Sequence, residues 1–412
     1  MMQNPLTGKL GIEPGGRLEK VLGYWLAAGL LFLAVGMLLL ESRNGYKNLV
    51  YLGLALPGLV LLFTPYARHL FSTPAFGMLS LYLLWVLLSC LWSPADEGIP
   101  IKRALIFALV CSGLAYLFGE QRRRFEQGAL AALALGAAIS LWWLIDFYGM
   151  KGFALSVRFP NGITEEYGSI YNPLLMSHQL AFLVTFATAY ILLYVQSPKQ
   201  RRALLVLVMP IALLMLATGS RTPLVSVPLA LSMLLVGRFN RMHLPWVLLS
   251  GGGLLLLGLL NWETISQRGL SYRPEIWSGV IAQMEGYWLV GHGYEAPLQI
   301  WVEELQINFL DAHNVFLGVL YYFGLLGLGI FLLPYLRALW LARLPGREGR
   351  LLLCITAYGV LASLTDGGGL FARPNEQWFN IWLPILFIVC VDYGRTRLAA
   401  DEEASPPHAE NP

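Results

Sequence analysis

Charged residues are scarce in this sequence of 412 residues: only 13% are Asp, Glu, Lys or Arg. Soluble domains carry about 25%. Hydrophobic residues make up 57% of the chain and occur in long runs, and residues 22–40 and 203–220 contain no charge at all. A helix that crosses a bilayer core needs about 20 apolar residues. The composition therefore excludes an ordinary soluble domain and predicts an all-α, polytopic integral membrane bundle.

Several chemical signatures are also missing. The four cysteines all lie in apolar runs without metal-ligand spacing, which argues against a disulfide framework or a zinc site. There is no Walker loop, no glycine-rich nucleotide fingerprint and no Asp-x-Asp pair. Adjacent acidic residues, such as Glu165-Glu166 and Glu303-Glu304, are typical of solvated loops. ATP-driven and nucleotide-sugar chemistry are disfavoured, and a net charge of only +3 gives no reason to expect nucleic-acid binding.

The apolar runs predict about twelve transmembrane helices in a single domain, residues 1–412. Backbone groups in lipid must pair internally, so each span is expected to be a helix. The long tenth run should bend or leave the bilayer near Pro334. The spans lie at about 21–40, 48–66, 76–92, 103–118, 127–148, 175–196, 203–219, 222–237, 244–261, 313–341, 351–368 and 379–393.

The distribution of Lys and Arg predicts the orientation. With the N-terminus in the cytoplasm, 18 of the 28 basic residues fall on the cytoplasmic side, as the positive-inside rule requires. Both termini are then cytoplasmic, and residues 398–412 form a disordered cytoplasmic tail. Two outward loops are long, at about 149–174 and 262–312, and long loops are where function is expected.

The second long loop contains an amphipathic segment. Pro274 suits the first turn of a helix. The residues that would then share one face are Ile276, Trp277, Val280, Ile281 and Met284. Such a helix would lie on the membrane surface or roof the bundle. It could equally be a simple cap or an element that contacts substrate.

Four arginines are predicted to face outward: Arg158, Arg221, Arg268 and Arg273. Ordinary flanking residues whose side chains reach for the interface would explain them. The positive-inside rule, however, makes outward arginines less expected. Guanidinium groups grip phosphate oxygens bidentately, so arginines that converge beside lipid headgroups suit a lipid-linked phosphate or diphosphate.

His313 is the strongest single candidate for a catalytic residue. It lies in Asp311-Ala312-His313-Asn314, at the predicted outer start of span ten, and histidine is the usual general base near neutral pH. A histidine that merely caps or packs the helix start is the alternative. Gly324 should lie below His313 on the same helix face, where glycines let another helix approach. His178 and His292 are weaker competitors that are more consistent with structural roles.

These residues resemble the O-antigen ligase family. His313-Asn314, nine further residues and Gly324-x-x-Gly327 match the family's motif, and Arg221 looks like its essential arginine. Twelve spans with a large outward loop before the histidine also fit, and the resemblance covers roughly residues 20–395. The wider superfamily includes O-antigen polymerases and bacterial protein O-oligosaccharyltransferases.

The resemblance implies an inverting, GT-C-like glycosyltransferase of lipopolysaccharide biosynthesis. The donor would be O-antigen on undecaprenyl diphosphate and the acceptor the lipid A–core oligosaccharide, among membrane lipids on the periplasmic face of the bacterial inner membrane. His313 would be the general base and Arg221 its catalytic partner. Arg158, Arg268, Arg273 and Asn314 would bind the diphosphate. No metal, ATP or other cofactor is implied.

Three other functions compete with this interpretation. An O-antigen polymerase would use the same donor with a glycan acceptor. A protein O-oligosaccharyltransferase often carries an extended soluble C-terminal region, which this sequence does not show. A transporter would show repeated halves and charges at the membrane midplane, and neither pattern is evident.

Overall fold

The computed structural model describes residues 16–40, 42–93, 98–151, 173–235, 272–344, 346–367 and 370–404. This part of the chain is almost entirely helical, with one short β-hairpin of strands β1 (Ile300–Val302) and β2 (Ile307–Phe309). A π-helical turn, Tyr51–Ala55, joins α2 to α3, and 3-10 turns occur at Cys90–Trp92, Met233–Leu235 and Glu376–Phe379. The α-helices are α1 (Arg17–Leu39), α2 (Arg43–Val50), α3 (Leu56–Leu61), α4 (Tyr66–Phe71), α5 (Pro74–Ser89), α6 (Gly98–Gly119), α7 (Arg122–Lys151), α8 (Pro173–Tyr194), α9 (Pro198–Ala217), α10 (Arg221–Ser232), α11 (Arg273–Ala282), α12 (Val315–Arg343), α13 (Arg347–Ser363) and α14 (Trp382–Ala404).

The predicted class, a helical polytopic membrane protein, is confirmed. Seven helical segments in the described residues are long and apolar enough to cross a membrane, namely α1, α5 with its 3-10 extension, α6, α7, α8, α9 and α12. The predicted spans 48–66, 222–237 and 351–368 correspond to shorter or broken helices, 379–393 overlaps the 23-residue helix α14, and 244–261 lies outside the described residues. The total of twelve spans therefore stays a prediction. A helix occupies residues 398–404 of the predicted disordered tail, and the rest of that tail is not described.

Helix α14 runs through the middle of the bundle. Every hydrophobic side chain from Ile385 to Val391 is at most 4% exposed. A helix that is apolar all round must be buried on all sides, and α14 is packed against α5, α6, α12 and α13. Elsewhere small residues allow backbones to meet: a Cβ on Gly29 would lie 2.3 Å from the Gly53 carbonyl oxygen. Such close approach is how membrane helices associate.

Contacts at the two ends of the bundle group the helix termini as the predicted topology requires. At one end, which we call the loop end because it carries residues 272–314, the contacts pair Arg103 with Glu295, Arg273 with Thr365 and Arg373 with Asn44. At the opposite end they pair Glu19 with Gln121, Glu120 with Arg397 and Arg122 with Glu348. The helices thus alternate in direction, while the assignment of the loop end to the outside of the cell stays a prediction.

Helix α11 and the β-hairpin form a roof over the loop end. Ile276, Val280 and Met284 are fully buried against the hairpin and the first turns of α12. A helix forms where the sequence predicts one, but Ile281, which was assigned to its apolar face, is 47% exposed. The i, i+4 spacing of the three buried residues sets the apolar face, and Ile281 lies beside it.

Helix α12 is broken at Gly324, where φ is 67°, a break that the sequence analysis does not predict. Pro334 lies inside the helix, and the bend or exit from the bilayer expected near it stays a prediction. The break frees carbonyl and amide groups that must find partners away from water. The turn at 288–293 supplies them, through Leu325 N to Trp288 O, Leu326 N to Leu289 O, His292 N to Tyr321 O and Gly293 N to Tyr322 O, and Trp85 Nε1 donates to Phe323 O. Only glycine fits at 324, because a Cβ would stand 2.3 Å from the Leu289 carbonyl oxygen.

Candidate functional site

His313 lies just before helix α12 and not on it, which corrects the expectation of a histidine held on the helix face. Its backbone is left-handed, with φ of 46°, and the next residue, Asn314, is the N-cap. Histidine is among the residues that tolerate this conformation best. The imidazole is about one-third exposed. His313 therefore projects from a fixed turn at the loop end, where its ring can be reached by a substrate.

Asp311 fixes that turn and faces the imidazole. Its Oδ1 accepts a hydrogen bond from the His313 backbone N–H at 2.7 Å and lies 3.3 Å from His313 Nδ1. A proton on Nδ1, facing the carboxylate, leaves the lone pair on Nε2 available for a substrate proton. The arrangement suits a general base that is oriented by a neighbouring carboxylate.

Asn314 joins the turn to the next loop. Its Oδ1 accepts from the N–H groups of Phe316 and Leu317, and its Nδ2 donates to the Leu364 carbonyl at 3.0 Å. Asparagine is a preferred N-cap because its side chain satisfies these otherwise unpaired amides. These three bonds give Asn314 a structural role. Its predicted contact with the diphosphate stays a prediction.

Two of the four predicted arginines meet at the same place. Arg221 begins α10, after Gly219 with φ of 64°, and Arg273 begins α11, after Tyr272 with φ of 56°. Arg273 Nε donates to the Thr365 carbonyl at 2.9 Å, and the hydroxyls of Thr365 and Thr222 lie 2.8 Å apart. The positive charge of Arg221 lies close enough to lower the pKa of Arg273. Arg158 and Arg268 lie outside the described residues.

Asp366 completes this cluster. Its Oδ2 lies 2.6 Å from Nε2 of His178, which is fully buried in α8, and its Oδ1 accepts from the Gly367 backbone N–H. The backbone carbonyl of His178 in turn accepts from the hydroxyl of Tyr358. The loop 364–367 is thus tied to α8, α10, α11 and the His313 turn at once.

Similarity to a known protein shows the family of this chain. No family model matches the chain. The O-antigen ligase of Pseudomonas aeruginosa is 33% identical over 378 residues, which cover 90% of this chain and 91% of that protein. The chain belongs to the O-antigen ligase family. The family implies a glycosyltransferase-type, multi-pass membrane enzyme of lipopolysaccharide biosynthesis.

In this member of the O-antigen ligase family, the site contains both cationic and anionic side chains, and burial partly shields them from water. Burial is the main influence on Arg273 and lowers its pKa, although Asp366 acts in the opposite direction. Burial raises the pKa of Asp311, against the effect of His313. Burial would also raise the pKa of Asp366, but the charge and hydrogen bond of His178, with a further contribution from His313, lower it overall. Asp366 is therefore the carboxylate that stays ionised most readily.

Asp366 is the residue of this cluster that the sequence analysis does not predict. It falls within the predicted span 351–368 and precedes three glycines, and an ionisable residue in a predicted span is a signal of function. The full burial of His178 is in line with the structural role expected of it, and the sequence offers no sign of its partner 188 residues away.

His292 has the structural role expected of it. Its ring stacks between Tyr287 and Tyr321, with centroids 3.9 and 4.3 Å away, and Nε2 bonds to the Gln283 carbonyl. It supports the turn that satisfies the broken helix α12.

Proposed function

We propose that this protein is an O-antigen ligase. It transfers O-antigen polysaccharide from undecaprenyl diphosphate to the lipid A–core oligosaccharide, on the periplasmic face of the bacterial inner membrane. The observation that supports this most is that Arg273, Thr222 beside Arg221 and Asn314 beside His313 all contact one loop, 364–367, at the loop end of the bundle. The guanidiniums would then face the diphosphate that leaves, and the general base would face the acceptor hydroxyl that attacks.

The two arginines bind the diphosphate of the donor. Each begins a helix, where unpaired backbone amides add to the positive potential. Arg273 is half-buried and is positioned by the Thr365 carbonyl, so its charge acts in a setting of low dielectric. Preorganised charge of this kind stabilises the negative charge that develops on a leaving group.

His313 takes the proton from the acceptor hydroxyl. A bond forms between the acceptor oxygen and the anomeric carbon of the donor sugar as the bond from that carbon to the diphosphate oxygen breaks. The electron pair leaves with undecaprenyl diphosphate, and the proton stays on His313 Nε2. Because this is one displacement, the anomeric configuration inverts. Asp311 stabilises the imidazolium that forms, through its contact with Nδ1.

The reaction needs no ATP, because the sugar–diphosphate bond of the donor already carries the activation. Within the described residues, no three His, Cys, Asp or Glu side chains are grouped as a metal site would require. Arginine supplies the positive charge that a metal ion provides in other phosphate-releasing enzymes. Metal independence is a separate prediction that chelation tests.

Two measurements test the proposal. Purified protein in detergent should transfer O-antigen from the lipid-linked donor to lipid A–core, which a transporter could not do. A strain that lacks the gene should lose the lipopolysaccharide ladder on gels while carrier-linked polymer survives. Core that carries a single repeat unit in that strain would instead identify an O-antigen polymerase, and transfer to a protein acceptor would identify an O-oligosaccharyltransferase.

A further inference from the structure

A second cluster of arginines surrounds a separate cavity at the loop end. Arg43 begins α2, Arg103 lies in the first turns of α6, and Arg373 lies between α13 and α14. All three line one cavity of about 150 Å³, together with Asn375 and Glu376. A water molecule occupies about 30 Å³ of liquid, so the cavity has room for a small polyatomic group.

The contacts of two of these side chains fix where their guanidiniums lie. Arg103 donates to Glu295 at 2.7 Å and to the Tyr294 hydroxyl at 2.5 Å, and Arg373 donates to Asn44 at 2.9 Å. These partners lie on two separate segments of chain, the 294–295 turn and α2. Like charges repel one another at such a site unless an anion joins them.

Glu376 gives a second indication that a ligand belongs here. Its side chain lines the cavity and is only 3% exposed, and within the described residues its Oε1 has no hydrogen-bond partner. Buried polar atoms are nearly always paired, so an orphan on a cavity wall indicates a missing partner. Burial raises the pKa of Glu376, against smaller effects of its own backbone amide, Arg43 and His178.

We propose that this cavity binds a phosphate group of the acceptor glycolipid. The inference rests on the proposed function, because it names a group on the second substrate of that reaction. The donor's diphosphate is assigned to Arg221 and Arg273, and the second cluster is built from different helices at the same end of the bundle. Two anionic, lipid-anchored substrates would thus dock side by side.

The test is equilibrium binding of a defined acceptor to the purified full-length protein, without donor and without turnover. The probe is rough lipopolysaccharide, which is lipid A–core without O-antigen, in a phospholipid-free detergent. A charged hydrogen bond is worth about 1.5–3 kcal/mol, so Arg373→Ala should raise Kd about ten- to a hundredfold. The double variant Arg43→Ala/Arg373→Ala should raise it further. Binding of undecaprenyl diphosphate should stay unchanged in both.

Lys47→Ala is the matched control. Lys47 carries the same charge on α2 and also contacts Asn44, yet it does not line the cavity, so its loss should leave Kd within about twofold. Acceptor stripped of phosphate should bind wild type and Arg373→Ala equally weakly. If Arg373→Ala weakened the binding of intact acceptor and of phosphate-free acceptor by the same factor, the proposal would be overturned.

A membrane phospholipid headgroup shares the phosphate chemistry and is the alternative source. Binding of phosphatidylglycerol vesicles that depends on Arg373, while rough lipopolysaccharide binds both proteins alike, would overturn the assignment to the acceptor. Because no transfer is measured, failure of the ligase reaction in wild type would refute the proposed function without affecting this result.

Discussion

Replacement of His313 should lower the rate of transfer strongly and the stability of the fold only slightly, so it tests the catalytic role directly. Removal of a general base typically slows a reaction about 10²- to 10⁴-fold, which is about 2.7–5.4 kcal/mol of activation free energy. The structural cost should be much smaller. The ring is about one-third exposed, and the left-handed backbone at φ of 46° costs an alanine about 1 kcal/mol. We therefore expect His313→Ala to lose detectable transfer while the protein remains folded.

His313→Asn is the better control for the backbone. Asparagine adopts the left-handed conformation readily and keeps a polar side chain, but it cannot accept the proton. The assay is the initial rate of glycan transfer by purified protein, with thermal unfolding in the same detergent to verify the fold. His313→Gln adds a longer side chain that can donate and accept hydrogen bonds. A well-folded His313→Asn or His313→Gln protein within a few-fold of wild-type rate would refute the general-base role.

Asp311→Asn tests the carboxylate that faces the base. Asparagine keeps an oxygen to accept the His313 backbone N–H but removes the negative charge that faces Nδ1 and stabilises the imidazolium as it forms. Transfer by Asp311→Asn at a fixed pH should therefore be slower while the protein stays folded. A wild-type rate in a well-folded Asp311→Asn protein would show that Asp311 does not act on His313.

Four other changes test the remaining claims. Arg221→Lys should lower transfer about tenfold or more although the charge is kept, because the planar fork matches phosphate geometry; near-full activity of both Arg221→Lys and Arg221→Ala would return this residue to an interface role. Gly324→Ala should lower the unfolding temperature markedly, since its Cβ would stand 2.3 Å from the Leu289 carbonyl oxygen, whereas Gly329→Ala, with nothing within 4 Å, should be neutral. Transfer should persist in excess EDTA, and activity that vanishes and returns with magnesium would contradict arginine-only stabilisation. A cysteine at the exposed Gln299 should react with an impermeant thiol reagent in spheroplasts, and protection there with labelling at the C-terminus would reverse the predicted orientation.

Hydrophobicity along the chain was enough to predict the class of fold and the position of most helices. Lipid forces each spanning segment to pair its own backbone groups, so a long apolar run is informative by itself. The same reasoning found α11, because Ile276, Val280 and Met284 recur at helical spacing. Arg221, Arg273 and His313 are candidate site residues from the sequence as well, since arginines and a histidine at span ends are conspicuous in a chain with so few charges, and their roles stay predictions.

Contacts between distant segments determine the features that the sequence does not predict: the break in α12, the Asp366–His178 pair and the second arginine cluster. The break in α12 at Gly324 depends on the turn at 288–293, which pairs the backbone groups that the break frees. Asp366 joins His178 across 188 residues, and no local pattern marks such a pair. Arg43 and Arg373 looked like ordinary flanking residues in the sequence. Only the packing of α2, α6 and the loop before α14 brings them, with Arg103, around one cavity.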